Sequence, residues 1–247
     1  MVDYVQEAVD LYKTVARVDK IKDCSTPFCP DGSLPFADED ETGQLAGNAC
    51  QLLMKNLWVA RLARPELSKA VGKLATKYTK WSKNDDRRLL RLAGYMQATK
   101  HYKLFGHVHD MPSKLSLMLF VDADFSGDVE DTKSTNGGLL CLVGPNTWFP
   151  IAWLSKKQTS TSRSTTEAEV TALATSLFSE AIPMIGLWST ILGREIDLYI
   201  MEDNQATILV LKKGYSQKLR HINRTQKIHL GSVKEEIDKA NVFLEYV

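Results

Sequence analysis

Apolar positions recur along this chain with two different periods, and the change of period divides it. Up to about residue 110 the spacing is helical. Val5, Ala8, Val9, Leu11, Tyr12 and Val15 fit one face of a short amphipathic helix. Leu52, Leu53, Leu57 and Ala60 fit a second, which ends where Arg64-Pro65 breaks the chain. A third carries Leu67, Ala70, Val71, Leu74, Tyr78 and Trp81. A fourth, capped by Asn84 or Asp85, turns Leu89, Leu92, Ala93 and Met96 inward and Arg87, Arg88 and Arg91 outward. Between the first two, residues 23–43 hold Pro27, Pro30, Gly32 and Pro35, which predicts a loop.

Beyond residue 111 strands take over. Leu115, Leu117, Leu119 and Val121 alternate with Ser116, Met118, Phe120 and Asp122, and most positions on both faces are apolar, as in the middle of a sheet. A turn over DTKSTNGG (131–138), an apolar run Leu139–Val143, a turn at Gly144-Pro145-Asn146 and a strand Trp148–Leu154 complete an antiparallel meander. SRSTTEAEVTALATSLFSEAI then predicts a helix with Ser164 as N-cap and Glu167 reaching back to it, broken or kinked at Pro183 before Met184–Leu192. A strand over Asp197–Asp203, helices over Ala206–Lys213 and Ile228–Ala240, and a last strand Val242–Val247 follow. The expected organisation is a mainly helical segment, 1–110, joined to an α/β domain, 111–247.

Composition changes this picture little. The 247 residues are 44% apolar and 25% charged, enough for a real core. A net charge of +1 does not announce a nucleic-acid partner, but its distribution is uneven: Lys212–Lys227 holds six Lys/Arg and no acid. That stretch suits phosphate contact, with a solvated loop and helix face as the alternative. Cys24, Cys29, Cys50 and Cys141 match no zinc spacing and read as ordinary thiols of a reducing compartment. No apolar run approaches the ~20 residues of a membrane span, and the polar N-terminus carries no signal-peptide pattern. The expectation is an intracellular protein, cytoplasmic or nuclear, away from membranes.

The chemistry is carried by acids. A core strand that ends in Asp122 places a carboxylate where it costs free energy unless something positive meets it, and a divalent cation is one such partner. Asp203 ends a second strand in the same way. Of the two glutamates at the start of the intervening helix, Glu167 has the capping position, with chemistry the lesser alternative. Glu169, about 200° around the helix, shares its side with Ala172, Leu173 and Ser176 and is assigned to chemistry. Three carboxylates distant in sequence, Asp122, Glu169 and Asp203, converge if their strands are neighbours and the helix packs on them. Asp85-Asp86 begins a charged helix with no strand before it and reads as capping. Asp38–Glu41 reads as solvated surface, and His101, His107, His109 and Asp110 as a flexible histidine surface; metal binding is the alternative for both.

Five motifs in series carry a family resemblance: DADFSGD (122–128), KSTNG (133–137), WLSKKQ (153–158), STTEAE (164–169) and DNQ (203–205). In this order they resemble the ribonuclease H region of copia-type retrotransposon polyproteins. ARLARPELSK (60–69) and the helices after it resemble the connection that joins polymerase to that region. The resemblance implies a ribonuclease H-like mixed five-stranded sheet with flanking helices and an RNA/DNA-hybrid endonuclease working with two Mg²⁺ or Mn²⁺ ions. Asp122 would bridge the metals, with Glu169 and Asp203 on either side. Lys156, Lys157, Arg163, Lys212, Lys213, Lys218 and Arg220 would contact the hybrid backbone, and the upstream polymerase portion would be a partner. The family's further C-terminal helix with a fourth carboxylate does not follow Val247, and Asn223 stands where many members have Asp. A catalytically weakened hybrid-binding or structural module is therefore the alternative, with Asp124 and Asp128 the first substitutes for a fourth ligand. Two other readings are an integrase-like nuclease, which the order Asp, Glu, Asp disfavours, and an α/β protein whose carboxylates never meet.

Overall fold

The computed structural model describes residues 1–30, 32–127 and 131–247. The chain divides into two units, Met1–Leu104 and Phe105–Val247, each with its own core.

The first unit is helical: α1 (Val2–Ala16), α2 (Ala49–Leu62), α3 (Ser68–Ala75) and α4 (Lys83–Ala98). Its core takes Val5, Val9, Leu52, Leu53, Val71, Leu89 and Leu92 from the predicted faces. The sequence expects one helix from Leu67 to Trp81, but α3 stops at Ala75. There the Thr76 hydroxyl donates to the Lys73 carbonyl and the backbone turns, leaving Tyr78 on the surface. The cap of α4 is Ser82, not Asn84 or Asp85: its hydroxyl accepts from Asp85 N, and the Asp85 carboxylate accepts from Ser82 N, a reciprocal capping box. The acids of the 23–43 loop are not simply solvated. Asp38 pairs with Arg87 and Glu39 with Arg88 and Lys77, which ties the loop to α4.

The second unit is built on five strands: β1 (Ser116–Asp124), β2 (Thr135–Gly144), β3 (Thr147–Lys157), β4 (Leu198–Glu202) and β5 (Val242–Tyr246). Their order is β3-β2-β1-β4-β5. The meander β1-β2-β3 is antiparallel, and β4 and β5 run parallel to β1. Leu117, Leu119, Leu140, Leu142, Leu198, Ile200, Val242 and Leu244 form the buried face. Over the sheet lie α5 (Thr165–Ser176), which runs through a π-helical turn at Leu177–Ala181 into α6 (Ile182–Leu192), then α7 (Gln205–Lys213), α8 (Ile222–Thr225) and α9 (Leu230–Ile237). Pro183 interrupts nothing: the wider turn precedes it and it sits in the first turn of α6, where its missing N–H is tolerated. Thr165–Leu192 is thus one 28-residue helix whose most apolar window reaches a mean hydropathy of 1.5, and its first half is buried on the sheet. Gly138 permits that approach, because a methyl group there would lie 2.5 Å from Ser176 Oγ.

Candidate functional site

Parallel pairing of β1 with β4 brings two strand ends side by side. Phe120 lies opposite Met201, so Asp122 and Asp203 each follow two residues later on neighbouring chains. Both are exposed at the mouth of the sheet. The helix reaches the same end through small side chains: Ala123 on β1 packs with Ala168 and Ala172 on α5. This packing places the Glu169 carboxylate where the Ala123 N–H donates to it. Glu169 is 7% exposed, and its Oε2 is buried without a hydrogen-bond partner.

A fourth acid, absent from the sequence expectation, joins them. The strand period turns Glu202 to the covered face with Leu198 and Ile200, where it is fully buried. Its Oε1 accepts from Asn204 N at 3.1 Å, and its Oε2 has no partner. The signal was present in the alternation of β4, but the strand expected from the sequence ends at Asp203, whereas β4 ends at Glu202 and Asp203 directly follows it.

Electrostatics show how near these groups are. Burial, then the charges of Glu202, Asp122 and Asp203, push Glu169 up to about 8, against one lowering hydrogen bond from Ala123. Burial raises Glu202 to about 7; the Asn204 N–H opposes this, while Asp203 and Asp122 add to it. Among the described residues no Lys or Arg pairs with any of the four. Nor, among the described residues, do the side chains form a ready-made cage of three ligands around one point. Yet the donor set is all hard oxygen, two buried oxygens lack partners, and the cluster is short of positive charge, which is the chemistry of a Mg²⁺ or Mn²⁺ site.

Glu167 is structural, as the capping assignment expects, but with different partners. Its backbone N–H donates to Ser164 Oγ, while its carboxylate accepts from Arg163 N at 2.9 Å and meets His221 Nε2 at 3.1 Å. The Glu167–His221 pair anchors the start of α5 to the basic stretch. A buried amide network reinforces it: Gln158 Nε2 donates to Asn136 Oδ1 and to the Ala168 carbonyl, and Ser162 and Gln226 donate to Gln158 Oε1.

The basic candidates fall into two groups. Lys156 and Lys157 end β3 in register with Asn136 and Thr135, and Thr135 pairs with Asp124, so they lie at the carboxylate end of the sheet. Lys156 is exposed, whereas Lys157 pairs with Asp131 at 2.9 Å. Arg163, Lys218 and Arg220 are exposed, and Lys212 and Lys213 close the last turn of α7, where they also complement the helix dipole. His101, His107 and His109 are exposed, and Asp110 instead accepts from Asn146 N across the β2–β3 turn. Asp124 belongs to β1, and Asp128 lies outside the described residues.

Sheet order, mixed pairing and the flanking helices define a ribonuclease H-like fold. No family model matches the chain. It is 30% identical over 174 residues, 69% of its length, to the retrovirus-related Pol polyprotein from transposon RE2 of Arabidopsis thaliana. It is 29% identical over 219 residues, 84% of its length, to the corresponding polyprotein from transposon RE1 of the same plant. These matches span only 11% and 14% of those polyproteins. Among solved structures, the foamy viral protease-reverse transcriptase in complex with RNA/DNA hybrid superposes with a TM-score of 0.52 over 98% of this chain and 26% of that one, at 13% identity. The chain is thus similar in sequence to a segment of the retrovirus-related Pol polyproteins of retrotransposons, and its second unit has a ribonuclease H-like fold.

Proposed function

We propose that this chain hydrolyses the RNA strand of RNA/DNA hybrids with divalent-metal assistance, as part of a copia-type reverse transcriptase. The observation that carries this reading is the gathering of Asp122, Glu169 and Asp203 at one end of the β1–β4 pair, with no basic partner among the described residues. Asp122, Glu169 and Asp203 would hold the ions, which when bound supply an activated water and stabilise the leaving 3′-oxygen. The chain's own part is to fix the acids. Asp122 and Asp203 are carried to the surface by rigid strands, and Glu169 is oriented by the Ala123 N–H. Exposed Lys156 at the same sheet end, with Arg163, Lys212, Lys213, Lys218 and Arg220, would meet backbone phosphates, while 2′-hydroxyls distinguish the RNA strand. The upstream polymerase portion would deliver the hybrid, and such a substrate places the activity inside the cell.

The absence of a closed three-ligand cage among the described residues favours a second reading, a hybrid-binding module with little turnover. Incubating the protein with an end-labelled hybrid in Mg²⁺ or Mn²⁺ separates the two. Metal-dependent shortening of the RNA strand alone supports the nuclease; retention of the hybrid with intact RNA supports the module.

A further inference from the structure

Of the four acids that gather at the sheet end, Asp122 and Asp203 are exposed, and Glu169 is buried but reached by the Ala123 N–H. The fourth, Glu202, is fully buried on the face that holds Leu198 and Ile200. It is one residue from exposed Asp203 and close enough to Glu169 to be the foremost charge acting on it. Half of its carboxylate is explained by the hydrogen bond from Asn204 N; Oε2 is not, and neither is Glu169 Oε2. A buried acid with no cation and no donor for one oxygen costs free energy that a glutamine or methionine of the same volume would avoid. A divalent cation at the mouth of the cluster would offset that cost, because its field reaches through low-dielectric surroundings with little screening.

We propose that Glu202 is a positioning residue of the cluster, a buried carboxylate that supports Glu169 and Asp203 and strengthens divalent-cation binding at the sheet end. It rests on the metal-site reading above. Two exposed acids, Asp122 and Asp203, then form the entrance, and two buried ones, Glu169 and Glu202, form the floor. In this arrangement Asp122, Asp203 and Glu169 hold the ion, and Glu202 beneath them strengthens that hold. Outer carboxylates of this kind change metal affinity by about tenfold to a hundredfold when removed.

The test is Mn²⁺ titration calorimetry on the full chain, with thermal melting of the metal-free proteins alongside. Glu202→Gln is expected to weaken Mn²⁺ binding about tenfold or more while the metal-free melting temperature stays level or rises. Glu202→Asp, which keeps the charge, is expected to bind Mn²⁺ more tightly than Glu202→Gln. It also serves if Glu202→Gln does not fold, since a purely packing role predicts no gain from restoring the charge. An affinity of Glu202→Gln within twofold of the parent, with Asp122→Asn still abolishing binding, overturns the role of Glu202 and leaves the site intact. Absence of Mn²⁺ binding by the parent, or unchanged binding by Asp122→Asn, overturns the site reading and this proposal together.

Discussion

Each unit of the molecule contains a crowded group of acids, and the two groups are held in opposite ways. In the first unit Asp85 accepts from Ser82 N and Ser82 Oγ and pairs with Arg88 at 2.7 Å. Asp86 accepts from Gln44 N, Leu45 N and Trp81 Nε1. Burial alone would raise Glu39, but hydrogen bonds from Asn84 and Arg88 and the charges of Arg88 and Lys77 outweigh it and hold its pKa below the ordinary value. In the second unit Glu169 and Glu202 each receive one backbone hydrogen bond and, among the described residues, pair with no Lys or Arg, and both are raised. The same residue type stabilises one unit and strains the other. What differs is whether the fold supplies the counter-charge, and where it does not, the acid is available for a ligand.

The largest expected effect is on chemistry. Asp122→Asn should reduce hybrid cleavage by about a hundredfold or more, as losing position at a reacting centre does, without lowering the metal-free melting temperature. Asp86→Ala should do the reverse. It strands three donors and should destabilise the first unit by about 3 kcal/mol, read by denaturant unfolding, while the Mn²⁺ affinity of the second unit is unchanged. If Asp86→Ala abolished metal binding instead, the contrast between the units would fail.

A pH series sharpens the comparison. Glu169 and Glu202 have folded values near 8 and 7, above the 4.5 of an ordinary glutamate. Their contribution to stability is therefore complete below about pH 4.5 and is lost as pH rises through 7 and 8. Glu39 is lowered, so its contribution is present above its ordinary value and lost as pH falls. Metal-free second-unit stability should decline from pH 5 to 8 and that of the first should not; hydrogen exchange resolved by segment reads both. Glu169→Gln should flatten the decline.

The smallest expected effect concerns the basic stretch. Removing Lys212, Lys213, Lys218 and Arg220 together should flatten the salt dependence of hybrid binding. The expected change is about 0.9 in log–log slope for each phosphate that is no longer neutralised, on the duplex-DNA scale. An unaltered slope would assign those residues to the helix end and the solvated surface.

Periodicity made the strands and most helices of this chain legible, because alternation and 3.6-residue spacing are recorded in every core position. Asp122, Glu169 and Asp203 were legible as strand-end and helix-face acids. Glu202 was not, because a glutamate inside a strand shows nothing of its burial until the helices above that face are placed. The early end of α3 and the Ser82 cap were missed for a related reason: Thr76 and Asp85 act through local side-chain bonds that apolar spacing does not record. The partners of Glu167 were hidden by distance, since His221 lies 54 residues away.

The central claim is that the second unit holds a set of acids whose missing counter-charge is a divalent cation. Thermal melting near pH 8, with and without millimolar Mg²⁺ or Mn²⁺, tests it most directly. A rise in melting temperature is predicted, corresponding to about 2.7 kcal/mol when the metal is at a hundred times its dissociation constant, and absent in Asp122→Asn. A melting temperature unchanged by either metal would contradict the account.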